Sequence, residues 1–133
     1  MLFQGVYSVL PTPFRAGGDV DLASLGRVVD LVVSAGVNGV TALGVTGEAA
    51  KLNERERTQV IETVVQRVAG RARVVVGASA DGLRAAIDFT RDVRALGASA
   101  VMVSPPRMAK LNSDAVVAHY KGLADAVDLP IVV

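Results

Sequence analysis

The 133 residues contain no cysteine. Disulfides, thiolate nucleophiles and thiolate metal sites are therefore excluded, and the absence fits a reducing compartment. There is a single histidine, and Asp19, Asp21, Glu48, Glu54 and Glu56 form no metal-ligand pattern around it. Neither sign of charge dominates: 14 basic and 13 acidic residues leave a net charge of +1. A nucleic-acid or membrane-surface partner calls for a basic patch, which is missing. No apolar run approaches the ~20 residues that span a bilayer. The opening MLFQGVYSVL lacks the charged start and cleavage site of a signal peptide. A cytoplasmic protein is expected. No linker, low-complexity tract or charge run marks a domain boundary, and the length suits one domain with a sizeable core.

What the chain does have is rhythm. Apolar residues make up 51% of it, and they fall into short Val-rich runs: 6–10, 39–43, 74–76, 100–103 and 129–133. Such nearly continuous runs suit parallel strands buried on both faces. Between them lie segments with 3.6-residue periodicity. The stripes are Leu25, Val28, Val29, Val32; then Val60, Ile61, Val64, Val65, Val68; then Leu83, Ala86, Ile87, Thr90, Val93; and finally Val116, Val117, Leu123, Ala124. Asn53 with Glu56 reads as a capping box, and Asp21 and Ser113 can cap their helices. Gly36, Gly70 and Gly97 stand where helices should stop. Pro130 opens the last strand, where a missing amide does least harm.

The predicted order is β-α-β-α-β-α-β-α-β, with strand starts roughly 30 residues apart, as in βαβ units. Two architectures fit: a doubly wound five-stranded sheet, or about half of a (β/α)₈ barrel. Both place function at the carboxyl ends of the strands. The loop there that stands out is GVTGEAAKLN, residues 44–53. Gly44 and Gly47 permit a sharp turn and a close approach of backbone amides to a ligand. Thr46 adds a neutral donor. The pattern is neither G-x-G-x-x-G nor a P-loop, and an inward Glu48 would repel a phosphate. A small carboxylate is the better guest. A turn that merely joins strand to helix remains the alternative at this point.

The combination of GVTGE, the preceding VTAL, the following AAKLNERER, the start GVYSVLPTPF, and the later stretches RVVVGASA, AVMVSPP and HYKGLADAVDLPIVV resembles the dihydrodipicolinate synthase/N-acetylneuraminate lyase family. The resemblance covers essentially the whole chain. It implies a (β/α)₈ barrel, with residues 1–133 as the N-terminal half of a single barrel domain, from the first strand into the fifth. It further implies class I aldolase or lyase chemistry, in which a lysine forms a Schiff base with pyruvate or a related 2-keto acid. No cofactor is implied, and a dimer or tetramer is.

Carried over residue by residue, Thr46 corresponds to the threonine that holds the keto-acid carboxylate, with the amide of Gly47 beside it. The family's preceding Thr or Ser, part of a proton relay, is here Val45. Its relay tyrosine after the fourth strand is replaced in SPPRM, where Pro106 and Arg107 stand. The resemblance therefore points away from dihydrodipicolinate synthesis itself and toward another second substrate, with Arg107 a candidate specificity residue. The Schiff-base lysine belongs to the end of the sixth strand, beyond residue 133. Lys51, Lys110 and Lys121 are the only lysines here; none is placed as a buried strand-end amine, so the 133 residues alone should be inactive. A non-catalytic α/β module that binds a small carboxylate or a partner chain is the rival reading. His119 and Tyr120 are expected to serve helix packing or the helix surface, and Tyr7 to fill the barrel.

Overall fold

A computed structural model describes residues 3–107 and 112–133. Met1, Met108 and Lys110 lie outside the described residues. Five parallel strands, β1 (Tyr7–Val9), β2 (Gly39–Ala42), β3 (Arg73–Gly77), β4 (Ala100–Met102) and β5 (Ile131–Val132), alternate with four helices. These are α1 (Leu22–Ser34), α2 (Glu54–Val68), α3 (Leu83–Ala95) and α4 (Ser113–Ala126). The sheet order is β1-β2-β3-β4-β5. A doubly wound sheet would reverse its order at a switch point; this one never does, as a barrel requires.

The strand register explains the continuous apolar runs. Val9, Thr41, Val75 and Ala100 are aligned across four strands. Their neighbours Val40, Val74, Val76 and Val101 point the other way, into the core shared with the helices. Because successive side chains alternate between faces, both sets are apolar or small. Thr41, Val75 and Ala100 are buried as well.

The α2 stripe is the strongest of the helical patterns. Val60, Ile61, Val64 and Val68 are each no more than 1% exposed, and burial of such a side chain is worth about 1.5–3 kcal/mol. The Asn53 capping box is complete. Glu56 N–H donates to Asn53 Oδ1 at 2.9 Å, and Asn53 N–H to Glu56 Oε2 at 2.9 Å. Asp21 caps α1 by accepting from the Ser24 amide. Gly36, Gly70 and Gly97 all take positive φ (80°, 75° and 98°) just past their helices, as expected of glycine there.

Two expectations about α4 need correction. Asn112, not Ser113, is its cap: the Asn112 side chain accepts from the Ala115 amide at 2.8 Å, and Ser113 is the first helical residue. The buried face is also different. Val117 is 50% exposed and Ala124 is exposed, whereas His119 and Leu123 are buried and Tyr120 is half-buried. Residues 116, 119, 120 and 123 share one side of a helix. The aromatic side chains supply the apolar surface that a search for aliphatic residues overlooked. Tyr120 donates its hydroxyl to the Val103 carbonyl at 2.7 Å, and burial raises its pKa above the ordinary value. Tyr7 fills space as expected. A Cβ on Gly39 would fall 2.2 Å from the Tyr7 ring, so glycine makes room for it. No helix among the described residues is long and apolar enough to cross a membrane.

Candidate functional site

The stretch that begins at Gly44 leaves β2 through an unusual residue. Leu43 has φ 54°, in the left-handed region, a conformation that costs a non-glycine residue about 1–2 kcal/mol. Val45–Gly47 and Ala49–Lys51 then form two single 3₁₀ turns, joined by Glu48 at φ 52°. The chirality of the loop is thus carried by Leu43 and Glu48. The two glycines serve a different purpose from the sharp turning expected of them. Gly44 is extended, with φ −73° and ψ −173°, and a Cβ there would come within 2.9 Å of a Val9 methyl. A Cβ on Gly47 would lie 3.3 Å from the Leu10 carbonyl oxygen. β1 and the residue after it pass close by and leave little room for a side chain at either position.

Three contacts hold this loop. On the β1 side, the Thr12 hydroxyl donates to the Gly47 carbonyl at 2.7 Å in a buried setting. On the β3 side, the Leu43 carbonyl occupies the space where a Cβ of Gly77 would be. On the α2 side, Arg57 Nε donates to the Ala49 carbonyl at 3.2 Å. Thr12 was invisible to motif reading. It stands between two prolines after the first strand, and only the fold brings it to residue 47.

The side chains named from the sequence separate into two groups. Thr46 is exposed, and its hydroxyl pairs with none of the described residues. Gly47 is buried, and its amide is already engaged with the Gly44 carbonyl at 3.0 Å. Val45 is 96% exposed. It lines a groove of about 540 Å³ together with Glu48, Arg57, Asp81, Met102 and Arg107, whereas Thr46 and Gly47 do not line it. The two departures from the family pattern, Val45 and Arg107, therefore share one groove.

Arg107 is held across the β3 and β4 loops. Its amide donates to Asp81 Oδ1 at 3.0 Å, and its guanidinium lies 3.6 Å from the same oxygen. The Arg107 side chain is 86% exposed, so solvent screens the ion pair and leaves it little energy. Beside it the Ser104 amide donates to Ser79 Oγ at 2.9 Å. Glu48 is paired with Lys51. Its charge is compensated, so the argument that Glu48 would repel a phosphate loses force. The preference for a carboxylate then rests on the single neutral hydroxyl of Thr46 and on the family resemblance. Lys51 and Lys121 are both exposed.

Comparison with known proteins bears directly on this arrangement. The profile of the Dihydrodipicolinate synthetase family matches residues 2–133. The chain is 37% identical over 131 residues to the 4-hydroxy-tetrahydrodipicolinate synthase of Laribacter hongkongensis (strain HLHK9), covering 98% of this chain and 45% of that one. It is 38% identical over 132 residues to the enzyme of the same name from Stenotrophomonas maltophilia (strain R551-3), covering 99% and 44%. Among experimental structures, a chloride-inhibited dihydrodipicolinate synthase from Acinetobacter baumannii, complexed with pyruvate, superposes with a TM-score of 0.93 at 35% identity, over 96% of this chain and 44% of that one. CdNal from Clostridium difficile, in complex with mannosamine, shares the fold at 21% identity with a TM-score of 0.89. The chain thus spans slightly under half the length of these relatives, as the N-terminal half of a (β/α)₈ barrel. By sequence profile, identity and strand order together, it belongs to the dihydrodipicolinate synthetase family.

Proposed function

We propose that the complete protein is a Schiff-base lyase acting on pyruvate or a related 2-keto acid, and that residues 1–133 are the first half of its single barrel domain. The observation that carries this reading is the Thr46 hydroxyl, without a partner among the described residues, on a loop held from three sides at the carboxyl end of a barrel strand. A donor with no internal partner, mounted on rigid backbone, costs no reorganisation when it meets a charged oxygen. The pyruvate complex of the Acinetobacter baumannii relative supports the choice of keto acid. In this reading Thr46 holds the carboxylate. A lysine from the part of the barrel after residue 133 condenses with the ketone and releases water. These 133 residues alone bring no such amine and are inactive. A cytoplasmic homo-oligomer without a metal or cofactor completes the proposal.

The second substrate is proposed to differ from that of dihydrodipicolinate synthesis. Val45 has no hydroxyl to pass a proton, and Arg107 presents a fixed positive charge where the family has a phenol. Both line the same groove, so the loss of two relay groups is concentrated in one place. Arg107 then favours an anionic partner, such as a sugar acid. The names of the relatives support the opposite choice of substrate, which makes the question one for experiment. Borohydride reduction in the presence of pyruvate should add the mass of a reduced pyruvyl group to one lysine of the complete protein and none to the 133-residue chain. Synthesis of the dihydrodipicolinate precursor at rates typical of the family would overturn the substrate proposal while leaving the lyase proposal intact.

A further inference from the structure

We infer that Thr12 is a positioning residue for the keto-acid site, acting through the Gly47 carbonyl on the neighbouring Thr46; this inference rests on the function proposed above. Thr12 is 5% exposed. Its hydroxyl donates to the Gly47 carbonyl at 2.7 Å, a short bond that joins two loops 35 residues apart. The same residue 47 donates its amide to the Gly44 carbonyl at 3.0 Å. Both polar backbone atoms of Gly47 are therefore committed, one to the turn itself and one to the end of β1. With Gly47 fixed at both ends of its peptide links, Thr46 has little freedom to swing.

The packing makes this contact unusually direct. Gly47 has no side chain, and a Cβ there would sit 3.3 Å from the Leu10 carbonyl and 3.6 Å from Thr12 Oγ1. The loop thus lies against the end of β1 with no side chain of its own between them, and Thr12 is the one residue of β1's trailing segment that hydrogen-bonds to it among the described residues. Without the hydroxyl, a buried carbonyl loses its partner and must turn to find another. The peptide that turns is Gly47–Glu48, one residue beyond Thr46, and the φ and ψ of Gly47 pass its rotation back to the Thr46–Gly47 link. Thr12 does not itself touch substrate. It sets where the carboxylate donor stands, and small displacements of a binding group weaken affinity steeply.

The test is pyruvate trapping by borohydride in the complete gene product, measured against pyruvate concentration. Thr12→Val keeps the shape and removes the donor. Half-saturating pyruvate should rise about tenfold, equivalent to the loss of one hydrogen bond, while the labelled fraction at saturation stays at the wild-type level. Thr12→Ser restores the donor and should restore wild-type half-saturation. A role in stability alone would lower the labelled plateau and leave half-saturation unchanged, and that result overturns the inference. So does a Thr12→Ser variant as weak as Thr12→Val. Should Thr12→Val fail to fold, Thr12→Ala carries the same comparison without adding bulk. A wild-type protein that traps no pyruvate at any concentration refutes the lyase proposal and this inference with it; a trapping wild type with an unaltered Thr12→Val refutes the inference only.

Discussion

Gly77 sits at the end of β3, facing the residue through which the site loop leaves β2. Gly77→Ala is the substitution whose effect follows most directly from the geometry. The added Cβ would lie 2.1 Å from the Leu43 carbonyl oxygen, 2.8 Å from its carbon and 3.3 Å from the Gly44 amide nitrogen. All three are backbone atoms, so no side-chain rotation relieves the clash. Ordinary contact requires a separation larger by over 1 Å, and Leu43 is already in the left-handed region at φ 54°. Either β3 or the loop entry must shift. Overpacking of this kind costs about 1–3 kcal/mol. The control is Gly17→Ala, where a Cβ would meet nothing within 4 Å and the change should stay within about 0.5 kcal/mol. Urea unfolding of the complete protein measures both, and pyruvate half-saturation reports whether the loop moved. Gly77→Ala as stable as Gly17→Ala, with unchanged half-saturation, would refute the claim that close backbone approach fixes the loop.

Thr46→Val removes one hydrogen bond to a charged oxygen, worth roughly 1.5–3 kcal/mol, so pyruvate affinity should fall about 10- to 150-fold; titration of the trapping reaction measures it. Val45→Thr restores a hydroxyl without its partner at position 107, and an assay for dihydrodipicolinate synthesis should detect no gain. Asn53→Ala removes the side-chain arm of the capping box, leaves the backbone arm to Glu56, and should cost about 1 kcal/mol, read from the urea midpoint. The Ser24 hydroxyl and amide, bonded to Asp21 at 2.6 Å and 3.0 Å, hold its carboxyl below the ordinary aspartate range. A depressed carboxylate stabilises above its unfolded pKa and loses that contribution as pH falls through the folded one. Acid titration of the melting temperature should therefore show a decline on the acid side of the ordinary aspartate range that is shallower in Asp21→Asn.

The strand and helix order was readable because its causes are local. Valine runs, 3.6-residue stripes and glycine stops each need only neighbours along the chain, and Asn53 with Glu56 closes its box within one turn. The site was half readable. The loop announced itself through Gly44, Thr46 and Gly47, but what its glycines do was hidden. They admit β1, while the left-handed conformations fall on Leu43 and Glu48. That exchange depends on Leu10 and Thr12, just past β1, and on Gly77 at the end of β3. Thr12 had no signal in the sequence, since a threonine between prolines reads as a plain connection. The face of α4 was misjudged because His119 and Tyr120 are polar by composition yet turn inward, the first buried and the second half-buried.

In the proposed site Thr46 receives the carboxylate of a 2-keto acid. A crystal structure of the complete protein, reduced with borohydride in the presence of pyruvate, tests it most directly. A pyruvyl carboxylate oxygen should lie within about 2.5–3.0 Å of Thr46 Oγ1, with the Gly47 carbonyl still bonded to Thr12. A pyruvyl group whose carboxylate lies elsewhere, with the Thr46 hydroxyl facing only water, would contradict it.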